Sequence, residues 1–217
     1  MKKTIFLITA ISMLAAGCAT MNKQQKGTAA GAAGGALIGA AVSHGSVWGI
    51  LIGAAIGGTA GNLIGKKMDK QAKELKQAIP TAEVERVGEG INVTFNSGLM
   101  FKINSAEISD SYKDDLAAAS GVFKNNPETN ILIEGHTDDT GSDELNMNLS
   151  QKRAEAVADF LKANGVAESR LQTKWYGESQ PKYANDSEEN RQKNRRVELA
   201  VYANDDMKNK AKEGKLE

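Results

Sequence analysis

The stretch ILIEGHTDDTGSDELNMNLSQKRAEAVADF, residues 131–160, decides how this chain folds and where its chemistry lies. Ile131, Leu132 and Ile133 form the short apolar run of a buried strand. Gly135 and Gly141 bracket an acidic loop that carries His136, Asp138 and Asp139. Ser150 reads as the N-cap of a following helix, with Gln151, Lys152 and Arg153 in its first turn. Ala154, Val157, Ala158 and Leu161 then recur at i, i+3, i+4 and i+7, and Asn164-Gly165 ends the helix. On this reading two cations sit where the helix macrodipole favours carboxylates, at about 0.3–1 kcal/mol each. A local rule broken in this way points to a functional site, here for an anionic group beside free backbone N–H groups. Asp138 supplies the opposite sign, so the pair suits an ammonium next to a carboxylate.

Outward from this stretch the periodicities describe an α+β domain over residues 83–203, an ordinary size for one core. Ile91, Val93 and Phe95 alternate as a strand, and Tyr112, Leu116, Ala119 and Phe123 form a helical stripe that Asn125-Asn126-Pro127 ends. Leu171, Thr173 and Trp175 alternate again, as do Val197, Leu199 and Val201. The predicted order is strand, helix, strand, helix, strand, strand, giving a mixed sheet covered by helices. Arg196 opens the last strand, from which it either reaches the pocket or pairs at the rim with Glu188 or Glu189. Residues 204–217 alternate Asp, Glu and Lys with almost no apolar residue, the composition of a disordered tail.

Several separate motifs here resemble one family. GHTDDTG at 135–141, Asn146, LSQKRAEAV at 149–157, YGE at 176–178 and NRRVE at 194–198 look like the OmpA-like peptidoglycan-binding domain. The resemblance implies a domain that binds, and does not cut, the diaminopimelate of the peptidoglycan stem peptide. It places Asp138 on the ammonium of that group and Arg153 on its carboxylate, with Asn104, Asn146 and Arg196 lining the same pocket.

The N-terminal part has a different character. Residues 1–17 open with Lys2 and Lys3, continue through an apolar run from Ile5 to Leu14 and end in small residues, the pattern of a secretory signal peptide. LAAGC at 14–18 resembles a bacterial lipobox, although Ala15 stands where Leu is usual. The resemblance implies acyl chains on Cys18 and a lipidated linker over 18–26. Cys18 is the only cysteine, which rules out an intrachain disulfide.

Twelve glycines fall within residues 27–65, nine of them in two i+4 series: 27, 31, 35, 39 and then 49, 53, 57, 61, 65. Each series lies on one helical face, where a second backbone can approach closely. Ser43-His44-Gly45-Ser46 is the natural turn of a Gly-rich helical hairpin whose arms would be about 24 and 28 Å long. The segment resembles the glycine zipper of outer-membrane lipoproteins. Three readings stay open: membrane insertion, self-association into a homo-oligomer, and a flexible linker. Residues 66–82 read as a connecting helix with a basic face, directed at solvent or at anionic lipid head groups.

Composition excludes much else. The formal net charge is zero, which gives no support to nucleic-acid binding. The acids after Asp138 do not follow EF-hand spacing, and one nearby His falls short of a hydrolytic zinc site. No catalytic group, metal or cofactor is predicted, and His136 reads as a hydrogen-bonding residue that shapes its loop. Two functions remain: a lipid-anchored outer-membrane protein with a periplasmic domain on peptidoglycan, or an assembly protein that oligomerises through 27–65. Gly57→Leu, but not the off-face Ile56→Leu, should reduce the oligomer size of detergent-solubilised protein if the zipper associates. Identical sizes for all three proteins would leave residues 27–65 as a spacer.

Overall fold

The computed structural model describes residues 58–102 and 104–216. The signal peptide, Cys18 with its linker, and the glycine-rich hairpin up to residue 57 lie outside the described residues. Within them the first element is helix α1 (Gly58–Ala78), followed by strands β1 (Glu83–Val87) and β2 (Gly90–Asn96). A short helix α2 (Ser97–Met100), helix α3 (Asp110–Asn125) and strand β3 (Thr129–His136) come next. Helix α4 (Asp143–Ala163), strand β4 (Leu171–Trp175), helix α5 (Glu188–Asn194), strand β5 (Arg196–Ala203) and helix α6 (Asp205–Lys212) complete the chain.

The strands form one mixed sheet in the order β1-β2-β5-β3-β4, parallel only between β3 and β4. The predicted α+β class and helix-covered mixed sheet are therefore present, with one strand more than the periodicity gave. The extra strand, β1, lies at an edge and buries only Val84, so it has no clear alternation to betray it. It joins β2 through Gly88-Glu89, with Gly88 in the left-handed region at φ 56°.

One face of the sheet carries the core. Ile91, Val93, Phe95, Ile131, Ile133, Val197, Leu199 and Val201 all have no exposed surface and pack with Leu116, Ala119 and Phe123 of α3 and Ala154, Val157 and Leu161 of α4. Phe95 meets Tyr112 edge-on at 6.3 Å between ring centroids. Arg170, missed in the sequence, is buried and donates to Phe123 O, Asn126 O and Thr129 O at 2.6–2.9 Å. It thereby satisfies carbonyls at and beyond the C-terminal end of α3.

Two boundaries differ from the sequence reading. The connecting helix is the second half of α1, which begins at Gly58 and belongs to the folded unit. Ile64, Met68, Leu75 and Ile79 are wholly buried in the same core. At about 1.5–3 kcal/mol for each buried side chain, they outweigh the roughly 1 kcal/mol that Gly61 and Gly65 each cost a helix. Its lysines do not form one unpartnered face, since Lys67 lies 3.8 Å from Glu128. The second correction is the tail. Residues 205–212 form helix α6, capped by Asn204 through Met207 N–H, and Met207, Ala211 and Leu216 are buried in the core. Three apolar residues at spacings of four and five sufficed, against a charged background that concealed them. Met207→Ala should cost about 2–3 kcal/mol in urea unfolding of the purified protein, whereas an undocked tail would leave stability unchanged.

Candidate functional site

A cleft of about 410 Å³ opens where β3 ends, between the loop 137–142, the first turns of α4, the segment 98–104 and the junction of α5 with β5. A close backbone approach sets its position. A Cβ on Gly135 would fall 2.1 Å from the Ser150 carbonyl oxygen, so α4 rests on β3 at a point that only glycine admits. Ser150 Oγ accepts from Gly177 N–H at 3.0 Å and donates to Met147 O at 2.8 Å. Gly177 has φ 52°, and a Cβ there would crowd the backbone of Met147 to 3.0 Å. Thr137 N–H donates to Gly177 O, and Tyr176 N–H to Gly135 O. The exits of β3 and β4 and the second turn of α4 are thus locked together.

The start of α4 corrects the sequence reading. Ser142, not Ser150, is the N-cap, and its side chain accepts from Leu145 N–H. Asp143 and Glu144 fill the first turn as the macrodipole favours, and Lys152 and Arg153 lie in the helix interior. The electrostatic oddity at the N-terminus is therefore absent, and Arg153 acts through its own burial.

Arg153 is 3% exposed. Its Nε donates to Ser105 O at 3.1 Å, its guanidinium lies 5.1 Å from the centroid of the Phe101 ring, and its Nη1 has no hydrogen-bond partner. Burial and the neighbouring Arg195 push its pKa down to about 10, which leaves it cationic at neutral pH. Asp138 is also buried, with Oδ1 accepting from Thr140 N–H at 3.0 Å and Oδ2 from Arg195. Asn146 donates from Nδ2 to Asp138 O and, at 2.5 Å, to Glu178. Asn104 sits at the exposed rim with φ 53°, a left-handed conformation that Asn tolerates better than most residues. The structure thus brings Asn104, Asp138, Asn146 and Arg153 to one cleft, whose apolar wall is Phe101 and Leu149.

Arg196 is elsewhere. It opens β5 on the face opposite the core, donating to Glu198 at 2.6 Å, to Asn194 O and to Gln180 O. Of the two adjacent arginines it is Arg195 that lines the cleft, beside Arg153, and Arg195 that pairs with Glu188. The signal was in the alternation: Val197, Leu199 and Val201 face the core, so Arg196 must face away and Arg195 falls on the cleft side. Asn194 positions both arginines. It has no exposed surface, accepts from Lys182 and Tyr183 N–H at 2.9 Å each and donates to Tyr183 O.

His136 differs too. It makes no hydrogen bond through either ring nitrogen and instead stacks on Tyr176, 5.4 Å between centroids and 19° between planes. Burial, with Arg196 nearby, holds its pKa well below the usual histidine value, so the imidazole is neutral at pH 7. Its 3.8 Å approach to Glu134 is accordingly not an ion pair. Among the described residues no three His, Cys, Asp or Glu side chains are grouped as metal ligands.

Gly135→Ala should destabilise by about 3 kcal/mol and splay α4 from β3, because both clashing groups are backbone. Gly121→Ala, in an open position of α3, should instead stabilise by about 0.5–1 kcal/mol. Chemical denaturation of the two variants against wild type checks both signs.

Residues 100–195, which contain every residue lining the cleft except Gly98, match the OmpA family, and residues 1–69 match the YMGG-like Gly-zipper family. The "Probable lipoprotein YiaD" of Escherichia coli (strain K12) is 36% identical over 118 residues, covering 54% of this chain and 54% of that protein. The peptidoglycan-associated lipoprotein of Pasteurella multocida (strain Pm70) is 36% identical over 100 residues, covering 46% of this chain and 67% of that protein. The cell wall anchor of the T6SS from Pseudomonas aeruginosa, a solved structure, superposes with a TM-score of 0.55 at 27% identity, covering 63% of this chain and 97% of that one. The chain spans about half the length of the first of these relatives and two thirds of the second. Sequence, fold and cleft agree: the chain belongs to the OmpA family.

Proposed function

We propose that the cleft binds the diaminopimelate centre of the peptidoglycan stem peptide without cutting it, and that the chain ties the bacterial envelope to the wall. The observation that carries this reading is Arg153, a buried cation in the same cleft as the Asp138 carboxylate with one donor, Nη1, unused. A buried charge with an open donor is costly until an anion meets it. A ligand carboxylate would do so through short charge-assisted bonds, leaving an adjoining ammonium to face Asp138. The buried Thr137 hydroxyl, also without a partner, borders the same space. The Pasteurella and Pseudomonas relatives, a peptidoglycan-associated lipoprotein and a cell wall anchor, support the same ligand. Asp138 is already committed to Thr140 and Arg195, an arrangement for holding a ligand and not for moving protons.

The anchor follows from the other end of the chain. Acyl chains on Cys18, after removal of the signal peptide, would hold the protein in the outer membrane with the cleft in the periplasm. The direction of α1 suits that arrangement. Its midpoint, at Lys67 and Asp69, lies against Glu128 and Arg86, at the end of the sheet remote from the cleft. The chain therefore enters the domain on the side away from its ligand. The glycine-rich residues ahead of α1, 27–57, would pair with copies of themselves or with lipid.

Asp138→Ala and Arg153→Lys should each weaken binding of meso-diaminopimelate and of purified sacculi at least tenfold, with the fold retained in both. Lysine cannot reproduce the planar fork of arginine on a carboxylate. Wild-type affinity in both variants would sink the assignment.

A further inference from the structure

The Asp138 carboxylate is already occupied within the chain. Arg195 Nη1 donates to its Oδ2, while Arg195 Nη2 donates to Glu188 Oε1 at 2.6 Å. One guanidinium thus bridges two carboxylates of very different burial, Asp138 with a side chain 6% exposed and Glu188 with one 71% exposed. Arg195 itself is a quarter exposed and sits at the C-cap of α5, immediately before β5. Arg153 is the opposite case, buried and held by a carbonyl and an aromatic ring.

We propose that Arg195 is a displaceable internal counterion, which occupies Asp138 in the empty cleft and swings onto Glu188 when a ligand ammonium replaces it. This rests on the zwitterion-binding reading of the cleft and adds a selection step to it. The guanidinium side of this pair is a quarter exposed, and water screens it there, so a ligand ammonium can displace Arg195. An ammonium is compact and carries three donors, which suits a carboxylate whose other oxygen is held by Thr140 N–H. Glu188 accepts the released guanidinium without moving far, since one of its oxygens is bound to Arg195 from the start. Its carboxyl is already held below its usual pKa by Arg195 and then by Arg191, so it is ionised and ready to take that charge. A neutral polar group has no charge with which to evict a guanidinium. The latch therefore admits an ammonium and turns away an amide or hydroxyl of similar size.

The test is calorimetric titration of the detergent-solubilised full chain with meso-diaminopimelate and with 1,5-diaminopentane, the same carbon chain without carboxylates. Wild type, Arg195→Gln, Glu188→Gln and the double variant are compared. Arg195→Gln should bind the diamine roughly fivefold tighter, because the carboxylate is uncovered. Glu188→Gln should bind diaminopimelate roughly threefold more weakly, and that loss should vanish in the Arg195→Gln background. Weaker binding of both ligands by Arg195→Gln would make Arg195 a plain ligand contact and overturn the latch. So would a Glu188 effect that persists without Arg195. Failure of every protein to bind diaminopimelate defeats the wall-ligand reading instead, and the diamine series still decides the latch.

Discussion

The contact on which the rest of the site depends is the seat of α4 on β3, where Gly135 lies so near the Ser150 carbonyl that no side chain fits between them. It fixes the height of the helix relative to the strand. Asp138 is three residues beyond Gly135 on the strand side, and Arg153 is one turn beyond Ser150 on the helix side. The distance between acid and base is therefore set by two backbones and not by flexible side chains. The second glycine, Gly177, brings the β4 exit onto the same turn of α4, and its N–H is the donor that Ser150 Oγ accepts. This rigidity suits the zwitterionic ligand proposed above, whose two charges are separated by a single tetrahedral carbon.

The opposite face of the sheet performs a different task. Glu134 and Glu198 are directly opposed across β3 and β5, and both are buried. Two like charges in register would repel. Arg196 answers Glu198 at 2.6 Å, and Tyr176 donates to Glu134 while stacking on His136. Arg196 also holds the Gln180 and Asn194 carbonyls, so the buried ion pair ties the long segment between β4 and β5 to the sheet. This matters to the cleft because Glu188 and Arg195 are carried by that same segment. Breaking such a pair on one side leaves an uncompensated buried charge, so the outer face fixes the geometry of the mouth without contributing a residue to it.

Much of this was legible in the sequence, and the failures have physical causes. The core strands were plain because Val197, Leu199 and Val201 alternate along β5, as Ile91, Val93 and Phe95 do along β2, and β3 shows an apolar run. The start of α4 was misplaced because its buried face is polar there: Asn146, Ser150 and Arg153 occupy inward positions where apolar residues would continue the stripe. The part of a helix that lines a site cannot show the pattern that identifies a helix. Ser142-Asp143-Glu144 carried the correct N-terminus, with cap and acids in order, but the apolar periodicity outvoted it. The tail and β1 were missed because each buries few residues. Arg196 was chosen over Arg195 from motif position, where the strand's own alternation gave the other answer.

The N-terminal helix shows how a local rule can mislead at a boundary. Gly61 and Gly65 close the second glycine series, and on composition they belong with the segment before them. In the fold they belong to the domain, since Gly61 is buried on the face of α1 that also carries Ile64 and Met68. One helix thus shares residues between the glycine-rich segment and the ligand-binding core. A helix of 21 residues spans about 30 Å. Packed along the domain, α1 fixes the point at which the chain enters the fold, at the end of the sheet remote from the cleft. Under the proposed anchoring, the pull of a tether would therefore reach the domain on the side away from its ligand.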